Sequence, residues 1–421
     1  MKILFAENPN ETLSNFFSKK NYLIDEEMDT IIEVLDAISK YWLSENFKMK
    51  DLFNENSLGF IIPWLNKRNS LKLLNLNFKN YNYLNNPSLK VRNEDRMIAR
   101  PLGTALHWLA GNVPVISLIS LFQGILTKNK NIIKVSKMYQ NLIPKIFFDL
   151  KKNIKLKNKS KKTFQRIISS IYILYVDHND HEKLQYISKN VDLRIIWGGK
   201  EAVTKILNLQ KKINCRDIVF GPKVSMAYIS KNQLKNKNEL SDFASKFTRD
   251  VFNFDQLGCN SPHNLFIQKG GKFSIKEIAK ELSICFQKNI SNKKISSSAV
   301  NKYNTLIKKF LHLSQKSNKL IASENHEWNI FINKDAEVED PIYNRSIFIS
   351  SVKDVKNLLG ALPQNVQSFG LHVKDNERFE IIERLADLGI DRFPEIGKMS
   401  FYNNPWDGFL PMQNMVRWVS Y

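Results

Sequence analysis

The chain has 421 residues, of which 43% are hydrophobic and 25% charged, proportions that exclude a disordered or fibrous polymer and fit two or three folded domains. Its formal net charge of +22 comes from lysines dispersed among Asn and Ile, and no recognition helix, stacking motif or zinc spacing accompanies it, which argues against nucleic-acid binding and against a metal site. Three cysteines without a CxxC pair exclude a disulfide framework and fit a reducing cytoplasm.

Met1–Asn10 lacks the apolar core of a signal peptide, and the longest apolar run, Val113–Leu126, is interrupted by Ser117, Ser120, Gln123 and Gly124 and is too short for a membrane span. Apolar residues at helical spacing over Glu26–Trp42 predict a helix near the start. The stretch Leu71–Leu89 is rich in Asn, Leu and Tyr, has no clear period and reads as a surface excursion. From Met97 the pattern alternates. A strand over Leu106–Leu109 runs into Ala110-Gly111-Asn112-Val113-Pro114, and Pro114 opens a helix to about Thr127, because a proline in the first turn lacks only an N–H that had no partner there.

The strand Asn131–Val135 follows, and Lys151–Lys162 then reads as a basic linker. Beyond it come the strand Ser170–Val176, the helix Asp180–Asn190, the strand Leu193–Trp197, the pair Gly198-Gly199 and a helix over Lys200–Leu209. Repeated strand–helix–strand units of this length predict a parallel sheet with crossover helices. With the strands Asp217–Phe220 and Ser225–Ile229, this dinucleotide-binding type of domain and its N-terminal helices are expected to fill residues 1–232.

A second α/β domain is expected over 233–400. It reads as the helix Leu240–Phe252, the strand Leu265–Gln268, the helices Ser274–Lys288 and Ala299–Leu313, the strands Trp328–Ile332 and Ser346–Ser350, the helix Val352–Leu359, the strand Ser368–Val373 and the helix Arg378–Leu388. Residues 401–421 form an aromatic tail, Trp406-Asp407-Gly408-Phe409 to Trp418, expected to pack on the first domain or at an oligomer interface. Between the helix ending at Phe252 and the strand at Leu265 lies the polar loop Gly258-Cys259-Asn260-Ser261-Pro262-His263. A free cysteine is normally buried as a small hydrophobe, so a thiol in such a loop points to reactivity more than to packing, although a loop cysteine can also be incidental.

Three further features need a joint explanation with Cys259. Asn112 at a strand end offers an amide to a developing oxyanion. Lys134, leaving a strand, can grip a ribose or a phosphate. Gly198-Gly199 opens a helix whose N–H groups can meet pyrophosphate. Each is weak alone. In order, they resemble the aldehyde dehydrogenase superfamily. His107–Pro114, Phe220–Lys223, Asp255–His263 and Trp406–Gly408 are similar, more closely, to segments of the long-chain fatty acyl reductases of bacterial bioluminescence operons and their non-luminous relatives. The match runs from about Met97 to the C-terminus.

The resemblance implies an α/β, aldehyde-dehydrogenase-like fold, with two Rossmann-like domains of mostly parallel strands. It also implies Cys259 as nucleophile, Asn112 as oxyanion amide, and Lys134 with Gly198 or Gly199 as cofactor contacts. The activity it implies is reduction of an activated long-chain acyl thioester to the aldehyde through a cysteinyl thioester. His263 is the candidate general acid, and His107 is expected to hold the Asn112 turn. Two departures from ordinary aldehyde dehydrogenases matter. Val219 stands where those enzymes carry the glutamate that activates water, and valine cannot accept a proton. Lys137 stands where NAD-preferring relatives often place a ribose-binding carboxylate, and a cation there suits a 2′-phosphate, which points to NADPH. The resemblance further implies an acyl-protein synthetase partner and a homo-oligomer paired through a projecting segment, for which Tyr81–Asn86 and the tail are candidates. The alternatives are a CoA-acylating aldehyde dehydrogenase run oxidatively and a non-catalytic acyl-holding subunit.

Overall fold

Two six-stranded sheets take up the β-branched and aromatic runs of the sequence. The computed structural model describes residues 1–8, 10–85, 96–290, 299–315 and 318–421. They form two units, Met1–Gly221 with Asn404–Tyr421, and Pro222–Asn403.

The first unit opens with β1 (Lys2–Phe5) and the helices α1 (Leu13–Ser18), α2 (Met28–Leu43), α3 (Lys50–Glu55), α4 (Ile62–Leu65) and α5 (Lys67–Phe78). It continues through β2 (Met97–Pro101), β3 (Thr104–Trp108), α6 (Pro114–Leu126), β4 (Lys130–Lys134), α7 (Leu142–Asn153), α8 (Asn158–Ser169), β5 (Ile171–Tyr175), α9 (His181–Asn190), β6 (Leu193–Trp197), α10 (Lys200–Leu207) and β7 (Arg216–Phe220). The sheet order is β1-β5-β4-β3-β6-β7, parallel except for β1. Helices cover both faces, so the strands carry apolar side chains on both sides. Every residue of α6 is buried, which explains a helix with no polar face.

Two buried lysines fasten the N-terminal helices to this sheet. Lys128 Nζ donates to the carbonyls of Glu26 (2.6 Å) and Leu84 (2.7 Å), and Lys130 Nζ to those of Phe16, Phe17 and Lys19 at 2.8–3.0 Å. Desolvation pushes Lys128 down to about 7, and the carbonyls replace the water that a buried ammonium loses.

The second unit runs β8 (Val224–Ile229), α11 (Lys237–Phe252), β9 (Pro262–Gln268), α12 (Ile275–Ile290), α13 (Ala299–Ser314), β10 (Lys319–Ala322), β11 (Asn329–Ile332), β12 (Ser346–Val352), β13 (Val366–His372) and α14 (Asp375–Ala386). Its sheet order is β10-β11-β12-β9-β8-β13, parallel except for β10. Phe243, Phe247 and Val251 of α11 share a core with Leu282, Phe286, Ile330 and Ile347. The chain then returns to the first unit through α15 (Pro411–Asn414) and β14 (Val416–Ser420), which pairs antiparallel with β2. Asn129 Nδ2 donates to the Met415 carbonyl (2.9 Å), and Arg216 Nη1 to those of Asn414 and Val416.

Several expectations need correction. The second unit begins at Pro222, not at 233, because β8 pairs with β9 and β13 of the second sheet. Its far boundary falls after Asn403. Of Lys151–Lys162 only residues 154–157 link elements; the rest is the end of α7 and the start of α8, whose inward residues Phe147, Leu150, Phe164, Ile167 and Ile168 flank the lysines. Leu71–Leu89 contains the later turns of α5 and a 3-10 turn at Tyr81–Leu84, and residues 86–89 lie outside the described residues, as does the end of Tyr81–Asn86. The helix expected over Val352–Leu359 is the last residue of β12 and a 3-10 turn at Val355–Leu358, where the Asp354 side chain accepts from Lys356 N–H and so competes with helix continuation. β1, β2, β10 and β14 were not expected as strands. Among the described residues no helix is long and apolar enough to cross a membrane.

Candidate active site

In the first sheet the chain moves outward from β3 to β4 and β5, then returns to the opposite side of β3 as β6. The switch point therefore lies at the carboxyl ends of β3 and β6, where open α/β sheets bind ligands. The loops leaving those strands are Gly111-Asn112 and Gly198-Gly199. Lys134, in register with Trp108, ends the neighbouring β4. Gly199 caps α10 with no side-chain bond to its first turn, which leaves backbone donors for an anion.

Lys134 is half-buried, and desolvation pushes its ammonium below the usual range, with Asp177 the opposing influence. The buried Ser136 Oγ has no hydrogen-bond partner among the described residues. Asn112 is exposed, and its carbonyl accepts from Tyr139 Oη at 3.4 Å. Lys137 is exposed; the carboxyl of Asp177 is held below its usual range chiefly by the Asn179 N–H and in small part by Lys137. His107 is fully buried between Ser120 Oγ (2.7 Å) and Asn131 Oδ1 (3.0 Å), tying β3 to α6 and β4, and desolvation lowers it to about 4.

An orphaned hydroxyl, a partly desolvated lysine and an uncapped helix start at a switch point fit a dinucleotide. Trp197 stacks on Phe220 at 3.7 Å, Phe220 on Phe409 at 5.3 Å, and Trp406 meets Trp197 edge-on at 5.5 Å. The Trp-Asp-Gly-Phe segment thus covers the ends of β6 and β7.

Cys259 belongs to the second unit and sits at the amino end of β9. Its carbonyl accepts from Ser225 Oγ at 2.7 Å, and Ser261 N–H closes a turn on the Gly258 carbonyl at 3.0 Å. A β-carbon on Gly258 would lie 2.7 Å from Asn260 Oδ1, so any side chain there would displace that amide. The thiol is partly exposed. Around it Asn260 Oδ1 and Nδ2, Ser261 Oγ and His263 Nδ1 are buried without hydrogen-bond partners among the described residues. Orphaned polar atoms are rare in native interiors and mark places where a ligand supplies the partner. His263 lies edge-on to Tyr343 (5.2 Å), and burial lowers it to about 3, so it is a neutral imidazole at physiological pH.

Two left-handed turns support this loop. Phe254, Asp255 and Gln256 have φ of 53°, 54° and 60°, and Tyr343, Asn344 and Arg345 have φ of 57°, 55° and 50°. Such residues each cost about 1–2 kcal/mol without glycine. The turns are clamped together: Arg345 Nε meets Asp255 Oδ1 at 2.5 Å, Gln256 Nε2 donates to Ser346 O (2.7 Å) and Pro262 O (3.0 Å), and Ser346 N–H donates to Gln256 Oε1 (2.8 Å). Tyr343 and Tyr402 are raised by burial and, secondarily, by the Cys259 sulfur, so both phenols lie within electrostatic reach of the thiol.

Of the residues singled out by sequence, Asn112, Lys134, Lys137, Gly198 and Gly199 lie in the first unit, and Cys259 and His263 in the second. Lys134 and the Gly111-Asn112 and Gly198-Gly199 turns gather at one sheet end; Lys137 stands farther along the chain beside Asp177. Sequence reading missed Tyr343, Tyr402 and Arg345, which reach the cysteine loop from distant segments and carry no local signature; Gln256 lies inside the Asp255–His263 segment, but its role as a clamp shows only in the fold.

The family described as acyl-CoA reductase (LuxC) matches residues 23–418. Relatives include the long-chain acyl-protein thioester reductases of Aliivibrio fischeri, 24% identical over 77% of this chain and 64% of the relative, and of Photorhabdus laumondii, 24% identical over 78% and 66%. The match thus spans less than two thirds of these relatives' length. Similar solved structures include an NAD-dependent aldehyde dehydrogenase from Sinorhizobium meliloti, with a TM-score of 0.71, 9% identity, and coverage of 100% of this chain and 94% of that one. Another is a 1-pyrroline-5-carboxylate dehydrogenase from Thermus with bound NAD, with a TM-score of 0.64, 11% identity, and coverage of 100% and 89%. The fold is that of the aldehyde dehydrogenases.

Proposed function

Because this chain belongs to the acyl-CoA reductase (LuxC) family, we propose that it reduces an activated long-chain acyl thioester to the fatty aldehyde through a covalent thioester on Cys259. The observation that carries this reading is a partly exposed thiol in a turn crowded around Gly258, ringed by the orphaned polar atoms of Asn260, Ser261 and His263.

Cys259 Sγ, as thiolate, attacks the acyl carbonyl, and the negative charge moves to the carbonyl oxygen. The Cys259 backbone N–H and the Asn112 amide are proposed as donors to that oxyanion, the latter on the strength of its Gly-Asn-Val-Pro turn. Collapse expels the donor thiolate and leaves the acyl group on sulfur. NADPH, when bound, supplies the hydride that reduces this thioester. Lys134, Ser136 and the N–H groups at the start of α10 are the residues that would hold it, with Lys137 toward a 2′-phosphate. Breakdown of the reduced adduct returns the thiol of Cys259 and releases aldehyde. Val219 offers no base to activate water, so the acyl-enzyme survives until it is reduced. His263, neutral at this pH, acts as a hydrogen-bonding group and not as an imidazolium acid.

The acyl donor is a CoA thioester or an acyl group delivered by an acyl-protein synthetase, and the protein works as a homo-oligomer in a reducing cytoplasm, where its thiol stays reduced. The test is a single turnover with labelled long-chain acyl-CoA, comparing native protein with Cys259→Ala. Label should attach to the native chain only and leave as aldehyde when NADPH is added. Equal labelling of Cys259→Ala would refute the nucleophile.

A further inference from the structure

Helix α13 is turned outside in. Thr305, Lys308, Lys309 and His312, spaced i, i+3, i+4, i+7, face the body of the second unit. Asn344 Nδ2 donates to Thr305 Oγ1 (3.4 Å), Lys308 pairs with Glu339 (2.6 Å), Lys309 Nζ donates to His326 Nδ1 (2.7 Å), and His312 Nε2 donates to the Lys319 carbonyl (3.0 Å). The opposite stripe, Tyr303, Leu306, Ile307, Phe310 and Leu311 with Leu313 beside it, faces solvent, and Phe310 is 75% exposed.

A surface helix normally points its apolar stripe at the core. Here Lys309 is buried, with its ammonium pushed below the usual range by desolvation, while the neighbouring phenylalanine is left in water. A contiguous apolar stripe kept outside at that cost marks a contact surface. Charge identifies what it contacts. Lys308 and Lys309 turn inward, Lys302 is exposed, and the helix carries no carboxylate, on a chain of net charge +22. That positive excess attracts an anionic surface.

We propose that α13 docks on an anionic lipid bilayer, lying in the headgroup plane with the Tyr303–Leu313 stripe sunk toward the acyl chains. At 16 residues the helix rests on the bilayer and does not cross it. The inference stands on this surface alone and is independent of the acyl-reductase reading.

The experiment is co-sedimentation of the full chain with vesicles of phosphatidylcholine and phosphatidylserine in equal parts, against vesicles of phosphatidylcholine alone. Native protein should bind the anionic vesicles, and binding should weaken as salt rises. The double variant Leu306→Gln, Phe310→Gln changes only exposed side chains, so its circular dichroism should match native, while its partition into anionic vesicles should fall at least about tenfold. The single variant Lys302→Glu should weaken anionic binding without abolishing it. Double-variant binding equal to native would overturn the proposal, leaving dispersed lysines as the cause. So would native protein that ignores vesicles, including the case in which it is a dimer that the double substitution splits into monomers.

Discussion

Replacing Gln256 by methionine tests whether one amide holds the two left-handed turns beneath Cys259. The side chain is fully buried and makes three hydrogen bonds to backbone, two with Ser346 and one with Pro262. Methionine has nearly the same volume, so the substitution removes bonds without opening a cavity. At about 1 kcal/mol net for each neutral bond, the loss is about 3 kcal/mol. That is a large share of the cost of six left-handed residues, so the effect should appear as local opening before global unfolding. Hydrogen exchange read by mass spectrometry on peptides covering 254–262 and 343–350 should show protection lower by about 100-fold, at 1.4 kcal/mol per decade, while peptides of the first unit stay unchanged. Acylation of Cys259 should slow in parallel. A fall in protection of less than about threefold in both peptides would show that the amide is not the clamp.

Gly124→Ala should destabilise the first unit by about 3 kcal/mol, because the new β-carbon would sit 2.0 Å from Asn131 Oδ1 and 3.2 Å from His107 Nε2; a thermal melt indistinguishable from native would contradict this. Asp250 is buried and pushed up to about 7 by desolvation, against the opposing N–H groups of Gly397 and Met399. Its folded value lies above the usual Asp value of about 3.9, so its contribution to stability is complete below about pH 4 and is lost as pH rises through 7, with a slope of up to about 1.4 kcal/mol per unit. Urea titrations at pH 5 and pH 8 should therefore show native protein losing stability relative to Asp250→Asn, and parallel pH dependence in the two would refute the assignment. Lys137→Glu should lower the ratio of kcat/KM for NADPH over NADH by about tenfold or more, since a cation matched to phosphate becomes a repelling charge. An unchanged ratio would remove Lys137 from the cofactor site.

The parallel architecture was legible because strands buried on both faces write themselves as short apolar runs, as in Ile171–Leu174, Ile195–Trp197 and Ile347–Ile349. Charge hid the adjoining ends of α7 and α8, because their inward residues, Phe147 and Leu150 before the lysine run and Phe164, Ile167 and Ile168 after it, lie outside Lys151–Lys162. At Val352–Leu359 the apolar spacing was right for a helix, but β12 extends to Val352 and Asp354 caps a single 3-10 turn after it. In the candidate site, Cys259, Asn112, Lys134 and Gly198-Gly199 were singled out by their order and joint resemblance, each alone being weak, and the fold gathers Lys134 with the Gly111-Asn112 and Gly198-Gly199 turns at one sheet end. Tyr343, Arg345 and Tyr402 were not singled out. Arg345 is held by Asp255, Tyr343 meets the His263 ring and Tyr402 the Phe254 ring, all across long stretches of sequence, and non-glycine residues with positive φ leave no mark in composition.

The first unit is discontinuous in sequence, and that has a consequence for synthesis. β14 and the Trp-Asp-Gly-Phe segment complete the first unit, yet they leave the ribosome only after the whole of Pro222–Asn403. During elongation β2 lacks its pairing strand, Arg216 lacks the carbonyls of Asn414 and Val416, and the stacked faces of Trp197 and Phe220 lack their aromatic cover. The second unit is contiguous and can close while the first still waits. The nascent chain therefore spends its longest exposure with an open strand edge and uncovered rings, the state most prone to misassembly. Variants that weaken this closing segment should lower the yield of folded protein more than the stability of protein already folded.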